Sequence, residues 1–143
     1  MRIEVEILDW DGKSSSDIDE IYNRYSNEGS FASNLIELAR RPGLQIGATW
    51  LIKRYLDGKH KLKANEVAAI YKLLPKLAHW EAKLHILQCI PNMPISKEEK
   101  KKVEDFIRAC LIDSNKFVRA WAYNGFYEIS LQYPEYKKET MLF

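Results

Sequence analysis

One pair of side chains in the sequence has a spacing that could support metal chemistry. His85 and Cys89 lie four residues apart in a segment with helical periodicity, so both would share one face of a helix. Zinc needs three or four ligands, and no second cysteine or histidine pair shows ligand spacing. We therefore interpret His85 as a packed or surface histidine and expect no bound metal.

Acidic side chains that could act as general acids or bases occur in two groups. Asp17, Asp19 and Glu20 form the first group, and Glu98 with Glu99 forms the second. Both groups fall in the expected first turn of a helix, where the helix dipole favours negative charge. Acid–base catalysis would instead need a carboxyl group in a dry cleft. Because glycine-rich phosphate loops and nucleophile motifs are also missing, the sequence predicts no catalytic residues, no cofactor and no enzymatic activity.

Basic and polar side chains interleaved with tyrosines form a candidate binding surface. Such a combination can bind phosphates and stack bases, or it can contact another protein. The alternative is that the aromatic rings fill space between helices while the basic groups keep the protein soluble, and we favour this for most of them. The candidate residues are Lys53, Arg54, Lys83, His85, Gln88, Arg119, Tyr123 and Tyr127.

Helical periodicity dominates the elements that would position these side chains. Apolar residues recur at intervals of three and four from about residue 16 to residue 133, with proline, glycine and asparagine at the breaks. At the start of the chain, Met1, Ile3, Val5 and Ile7 alternate with charged residues, a period typical of a short N-terminal strand. We expect an acidic strand-and-helix cap over residues 1–29 and a helical domain over residues 30–143.

Three successive helix pairs can be overlaid on one another. Their second helices begin at Leu44, Ala78 and Lys116, at offsets of 34 and then 38 residues. Helical hairpins repeated at this period indicate an α-solenoid, because each hairpin must stack on a neighbour to bury its apolar face. We expect small residues such as Ala48 and Ala82 to allow close helix packing. The spaces between layers would be filled by Trp50, Trp80 and Trp121.

The third helix pair resembles a HEAT-like repeat of the armadillo-type superfamily. The residues that carry the resemblance are Asp113, Val118, Arg119, Ala122, Gly125 and Phe126. The resemblance implies an all-α fold, namely a short right-handed α-α superhelix of about three HEAT-like helix pairs. It also implies a structural ion pair between Asp113 and Arg119. Gly47 and Glu81 stand where Arg119 stands in the earlier pairs, so a ladder of such ion pairs cannot continue along the chain.

Composition and charge restrict the class of protein further. The chain has 143 residues, of which 46% are hydrophobic and 29% are charged, as in a folded single domain. We predict no membrane segment, and the two isolated cysteines favour a cytoplasmic location. The net charge is +2, but residues 1–40 carry −5 and residues 41–143 carry +7. The acidic segment could therefore fold over the basic surface.

We predict a non-catalytic interaction or scaffold module that binds another protein or another copy of itself. Two surfaces could serve: the concave helix face, and the C-terminal end, where Ala120, Tyr123, Tyr127 and Leu131 form a second apolar stripe. The alternative is a nucleic-acid-binding HEAT-like protein with a groove for the DNA backbone, related to DNA repair. The low net charge argues against this alternative.

Overall fold

The structure, a computed structural model, describes residues 2–142, and this part of the chain is entirely helical without strands. Single turns of 3-10 helix at Pro42–Leu44, Leu74–Lys76, Ile90–Asn92 and Pro134–Tyr136 separate several of the helices. Each of these turns contains a proline, which cannot donate a helical hydrogen bond. The α-helices are α1 (Arg2–Asp9), α2 (Ser15–Tyr25), α3 (Phe31–Ala39), α4 (Gln45–Asp57), α5 (Ala64–Leu73), α6 (Trp80–Cys89), α7 (Lys100–Leu111), α8 (Lys116–Gln132) and α9 (Lys137–Thr140).

The expected N-terminal strand is wrong for the residues described, because residues 2–9 form α1. Ile3 and Ile7 are buried on one face of this helix, whereas Val5 is 57% exposed. Residues spaced by four lie on one face of a helix and also on one face of a strand. The alternation in the sequence therefore does not distinguish a helix from a strand here. An isolated strand would also have lacked a partner for its backbone groups, while a helix bonds its own. Met1 lies outside the described residues.

Two series of neighbouring helices make up the body of the protein. In one series α3 contacts α5 and α5 contacts α7, and in the other α4 contacts α6 and α6 contacts α8. The α3–α4 and α7–α8 pairs join the two series. The side chains between them form one continuous apolar core, in which Leu51, Ile70, Leu87 and Phe126 are fully buried.

Gln45, the first residue of α4, ties several of these helices together through one buried amide. Its Nε2 donates to the carbonyl of Ala39 at 3.1 Å and to that of Lys76 at 3.2 Å. Its Oε1 accepts from the backbone N–H of Ala78 at 2.8 Å. The amide thus joins the end of α3, the turn after α5 and the residues that precede α6.

The N-terminal helices pack beside α4. Gly47 of α4 permits a close approach, because a Cβ placed there would lie 2.6 Å from Cγ2 of Ile7. Trp10 packs edge-on against Trp50, with ring centroids 5.5 Å apart. Glu4 forms an ion pair with Arg41. Part of the acidic N-terminal segment is therefore engaged by basic side chains of the same chain.

None of the helices within residues 2–142 combines the length and the apolar character needed to cross a bilayer.

Candidate functional site

The outward side of α8 carries the most prominent exposed apolar surface among residues 2–142. Asn115 caps the helix, accepting hydrogen bonds from the backbone N–H groups of Phe117 and Val118 at 2.9 and 3.1 Å. The buried side of α8 packs on α6 and α7. The opposite side, which we name the α8 face, carries Phe117, Ala120, Trp121, Tyr123, Tyr127 and Leu131, with the polar Asn124 among them.

Exposure of the α8 face is substantial for such large side chains. Phe117 is 51% exposed, Tyr123 47%, Tyr127 45% and Leu131 55%. The exposed stripe that the sequence predicts at Tyr123, Tyr127 and Leu131 is therefore present. Trp80 of α6 is 41% exposed and stacks on Phe117 with ring centroids 6.5 Å apart, so the apolar surface continues onto α6.

The C-terminal tail packs on α8 and is tied to α7 by hydrogen bonds, and the α8 face remains exposed beside it. Arg108 of α7 binds both carboxylate oxygens of Glu139, at 2.5 and 2.8 Å. The hydroxyl of Tyr136 donates to Glu104 at 2.6 Å, and the Tyr136 ring packs edge-on against Phe126. The hydrogen bond from Tyr136 and the Arg108 guanidinium both lower the pKa of Glu104, so this carboxylate stays charged.

The expected role of the tryptophans as fillers between layers is wrong for two of the three. Trp80 and Trp121 are exposed, at 41% and 37%. Trp50 alone is partly buried, against Trp10 and the His85 ring. The sequence overlay of the three helix pairs placed these tryptophans on equivalent helices. In the structure, however, the positions of Trp80 on α6 and Trp121 on α8 face solvent.

A cleft between α4 and α6 brings together three of the predicted binding residues. Lys53, His85 and Gln88 line a cavity of about 280 Å³ together with Trp50 and Leu84. We name it the α4–α6 cleft. Lys53 forms an ion pair with Asp57 at 2.5 Å, so a phosphate would have to compete with this carboxylate. The cleft thus has little free positive charge to offer a phosphate.

His85 is a buried, uncharged histidine that is hydrogen-bonded within the chain. Its Nδ1 lies 2.9 Å from the hydroxyl oxygen of Thr49, and this hydroxyl donates its proton to the carbonyl of Gln45 at 2.8 Å. Burial and, to a smaller extent, the positive charge of Lys53 lower the pKa of His85 to about 4, so the ring is neutral at pH 7. No cluster of three or more metal-ligating side chains exists within residues 2–142. Burial likewise raises the pKa of Cys89 to about 12, which disfavours the thiolate.

The remaining predicted basic residues lie apart from the cleft and have partners within the chain. Arg54 lies 3.5 Å from Asp19 and stacks over the Tyr22 ring. Lys83 binds Asp113 at 3.0 Å. The structure therefore does not assemble the predicted basic residues into one surface.

The expected ion pair between Asp113 and Arg119 is replaced by another arrangement. Arg119 donates to the backbone carbonyls of Asp113 and Ser114, at 2.7 and 3.0 Å. The Asp113 carboxylate accepts from the backbone N–H of Asn115 and from Lys83. These interactions lower the pKa of Asp113, the backbone hydrogen bond most of all. The carboxylate thus links α6 to the turn before α8.

Three members of the exposed surface were missing from the predicted binding residues, namely Phe117, Trp80 and Trp121. A helical wheel could have found Phe117, because residues 117, 120, 124, 127 and 131 share one face. Trp80 had no such signal, because its exposure depends on where α6 lies relative to α8.

Comparisons with known proteins returned no match, whether to family models, to curated proteins or to solved structures. The site therefore has to be interpreted from its own geometry.

Proposed function

We propose that the protein is a non-catalytic, HEAT-like interaction module that binds a second copy of itself through the α8 face. The observation that carries the proposal is the row of half-exposed aromatic side chains on one side of α8. Contiguous apolar surface of this kind is typical of a protein–protein interface. Aromatic residues are also enriched at the centres of such interfaces.

The helix order supports a short right-handed α-α superhelix as the framework. In such a framework each helix pair covers the apolar face of the pair before it, so the terminal pair needs a polar surface or a partner. α8 ends the series α4, α6 and α8, and it is followed in the described chain by the 3-10 turn Pro134–Tyr136 and the four-residue α9, which contact it but add no further long helix. A second copy would supply the missing neighbour.

The size of the α8 face favours a weak dimer. A buried aromatic side chain covers about 150–250 Å², so each half-exposed ring offers about 100 Å². Four aromatic rings and Leu131 then offer about 500 Å² per copy, and a symmetric pair buries about 1,000 Å² in total. This value lies at the lower limit for a specific interface, so we expect dissociation on dilution.

Nucleic acid binding receives less support from the geometry. The cations predicted for a phosphate groove are held by carboxylates or carbonyls of the chain itself, and His85 is neutral. Each phosphate contact would first have to break such an interaction.

Sedimentation velocity over a range of protein concentrations tests the proposal. The wild type should shift from monomer to dimer as concentration rises, and Tyr127→Glu should remain a monomer because a charge would be buried at the contact. Leu8→Glu is the matched control, since Leu8 is 60% exposed on α1, far along the chain from α8, and it should dimerise like the wild type.

Three results would contradict the proposal. The first is a wild type that stays monomeric at every concentration, and the second is a Tyr127→Glu variant that dimerises normally. The third is a shift of DNA mobility at 50 mM salt that disappears at 200 mM, which would establish the nucleic-acid alternative.

A further inference from the structure

A cavity beside α7, next to the turn that follows α5, has the size of a small-molecule site. Its volume is about 390 Å³. We name it the α7 cavity. No residue of the α8 face lines it, so it is separate from the surface proposed for dimerisation. The apolar residues of its lining are Leu74, Pro75, Leu77, Phe106, Ala109 and Cys110.

The floor of the α7 cavity is apolar and uncharged. Leu74, Leu77 and Phe106 are buried residues of the hydrophobic core that also line the cavity. Burial raises the pKa of Cys110 to about 12, so its thiol is neutral at pH 7. Among the described residues that line the cavity there is no hydroxyl or amide side chain. The cavity therefore suits a hydrocarbon body better than a polar one.

The charged residues of the lining leave one positive charge over. Asp105 is bound by Lys101 at 3.1 Å, and Lys83 is bound to Asp113 at 3.0 Å. Lys102 also lines the cavity and forms no ion pair within residues 2–142. Three lysines thus face two aspartates around this cavity. A ligand that carries a single negative charge would balance them.

The position of Lys102 on α7 places its ammonium group at the mouth of the cavity. Residues 102, 106 and 109 are spaced by four and three, so they share the face of the helix that lines the cavity. Lys102 is exposed to solvent, in contrast to Phe106. A lysine in this position lays its hydrocarbon stem along the wall and keeps its charge in water. The ammonium group is therefore accessible to a ligand.

We propose that the α7 cavity binds a free fatty acid of medium chain length. The hydrocarbon chain packs on Leu77 and Phe106, and the carboxylate lies at the mouth beside Lys102. A carboxylate only accepts hydrogen bonds and an ammonium group only donates them, so the two groups match in charge and in hydrogen bonding. An alcohol of the same length gains only the apolar contacts, and an amine is repelled by the excess positive charge.

Titrations of the full chain followed by amide NMR test the proposal, with hexanoate, hexanol and hexylamine as probes of equal length. Hexanoate should bind about threefold more tightly than hexanol, because an ion pair at an exposed mouth contributes little, and hexylamine should bind most weakly. Raising the salt concentration from about 0.01 to about 0.15 M should reduce the preference for hexanoate. The signals that shift should include those of Leu77, Phe106 and Ala109.

The length of the hydrocarbon chain tests the apolar part of the site separately. Octanoate has two more CH₂ groups than hexanoate and the same head group. Each buried CH₂ should increase the affinity about fourfold. Equal affinities for octanoate and hexanoate would show that the chain does not enter the cavity, and this result would overturn the proposal.

Two substitutions separate the charge from the cavity, each with a matched control. Lys102→Gln should make hexanoate bind no better than hexanol and leave hexanol unchanged, whereas Lys97→Gln, at an exposed lysine outside the lining, should keep the preference. Ala109→Phe should weaken every probe by filling the mouth of the cavity. Ala64→Phe should weaken none of them, because Ala64 is an exposed alanine at the start of α5 outside the lining.

Several other results would overturn the proposal. Hexanol or hexylamine could bind as tightly as hexanoate, or Lys102→Gln could retain the preference for the carboxylate. The shifted signals could map to the α8 face, or millimolar octanoate could shift none. N-acetyl-leucyl-leucine ends in the same carboxylate. If it bound more tightly than octanoate, the cavity would be a site for a peptide C-terminus instead of a fatty acid.

Discussion

Replacing Gln45 by methionine should destabilise the whole protein, because a single buried amide there joins helices that lie far apart in the chain. Gln45 is 1% exposed and makes hydrogen bonds to Ala39, Lys76 and Ala78. Methionine has nearly the same length and flexibility, so the substitution removes the polar atoms with little change in packing.

The size of the effect follows from the groups left without partners. The carbonyl of Ala39 is buried and loses its donor, which costs about 2 kcal/mol. The contacts with Lys76 and Ala78 are only partly buried, so water can replace the amide there at about 0.5 kcal/mol each. The total of about 3 kcal/mol corresponds to a fall of about 10 °C in Tm for a chain of this length.

Urea unfolding and a thermal melt followed by circular dichroism measure this change. Gln88→Met is the matched control, because Gln88 is only half-buried and lines the open α4–α6 cleft. We expect it to change Tm by about 2 °C at most. Equal unfolding free energies for the two variants would refute the reasoning, since they would show that the Gln45 amide does not hold the helices together.

Two further substitutions test the packing of α1 and the Asp113 carboxylate. Gly47→Ala should lower the unfolding free energy by about 1–2 kcal/mol although alanine favours helices, because the new Cβ meets Ile7. Gly43→Ala is the control, because a Cβ there meets nothing within 4 Å. Equal urea midpoints for the two variants would contradict the expected clash. The pKa of Asp113 is lowered from 3.8 in the folded state, so its contribution is complete above that pH and is lost as the pH falls through the folded value. The difference in stability between the wild type and Asp113→Asn should therefore be constant from pH 5 to 7 and shrink below pH 4, and a difference that grows towards acid would contradict the assignment.

Local sequence patterns were sufficient to predict most of the helices and where they begin and end. Ser14 is of a residue type that caps helices and stands just before the apolar period of α2, and its side chain accepts the backbone N–H of Asp17 at 3.2 Å. Pro75 cannot donate a helical hydrogen bond, and it lies in the 3-10 turn that ends α5. Such signals act within one helical turn, so no knowledge of the rest of the chain is needed to interpret them.

Part of the candidate site was also predictable. The exposure of Tyr123, Tyr127 and Leu131 followed from their position on α8, because a helix has a fixed period and its other face was already assigned to the core. The interactions of Lys83 and Arg119, by contrast, could not be predicted from their positions on their helices. Both side chains are long and flexible, so the sequence places their Cα atoms on a face but does not say which oxygen each one reaches.

The amino-acid sequence by itself determined that this protein is helical, where most helices begin and end, and that its last long helix carries a second apolar stripe beside the one assigned to the core. These properties depend on neighbours within about four residues. The tertiary structure alone decided that residues 2–9 form a helix against Gly47, that Lys83 pairs with Asp113, and that Leu77 and Phe106 line one cavity. Each of these depends on groups brought together from distant parts of the chain or on which groups lie within reach in space, and no periodicity encodes such distances.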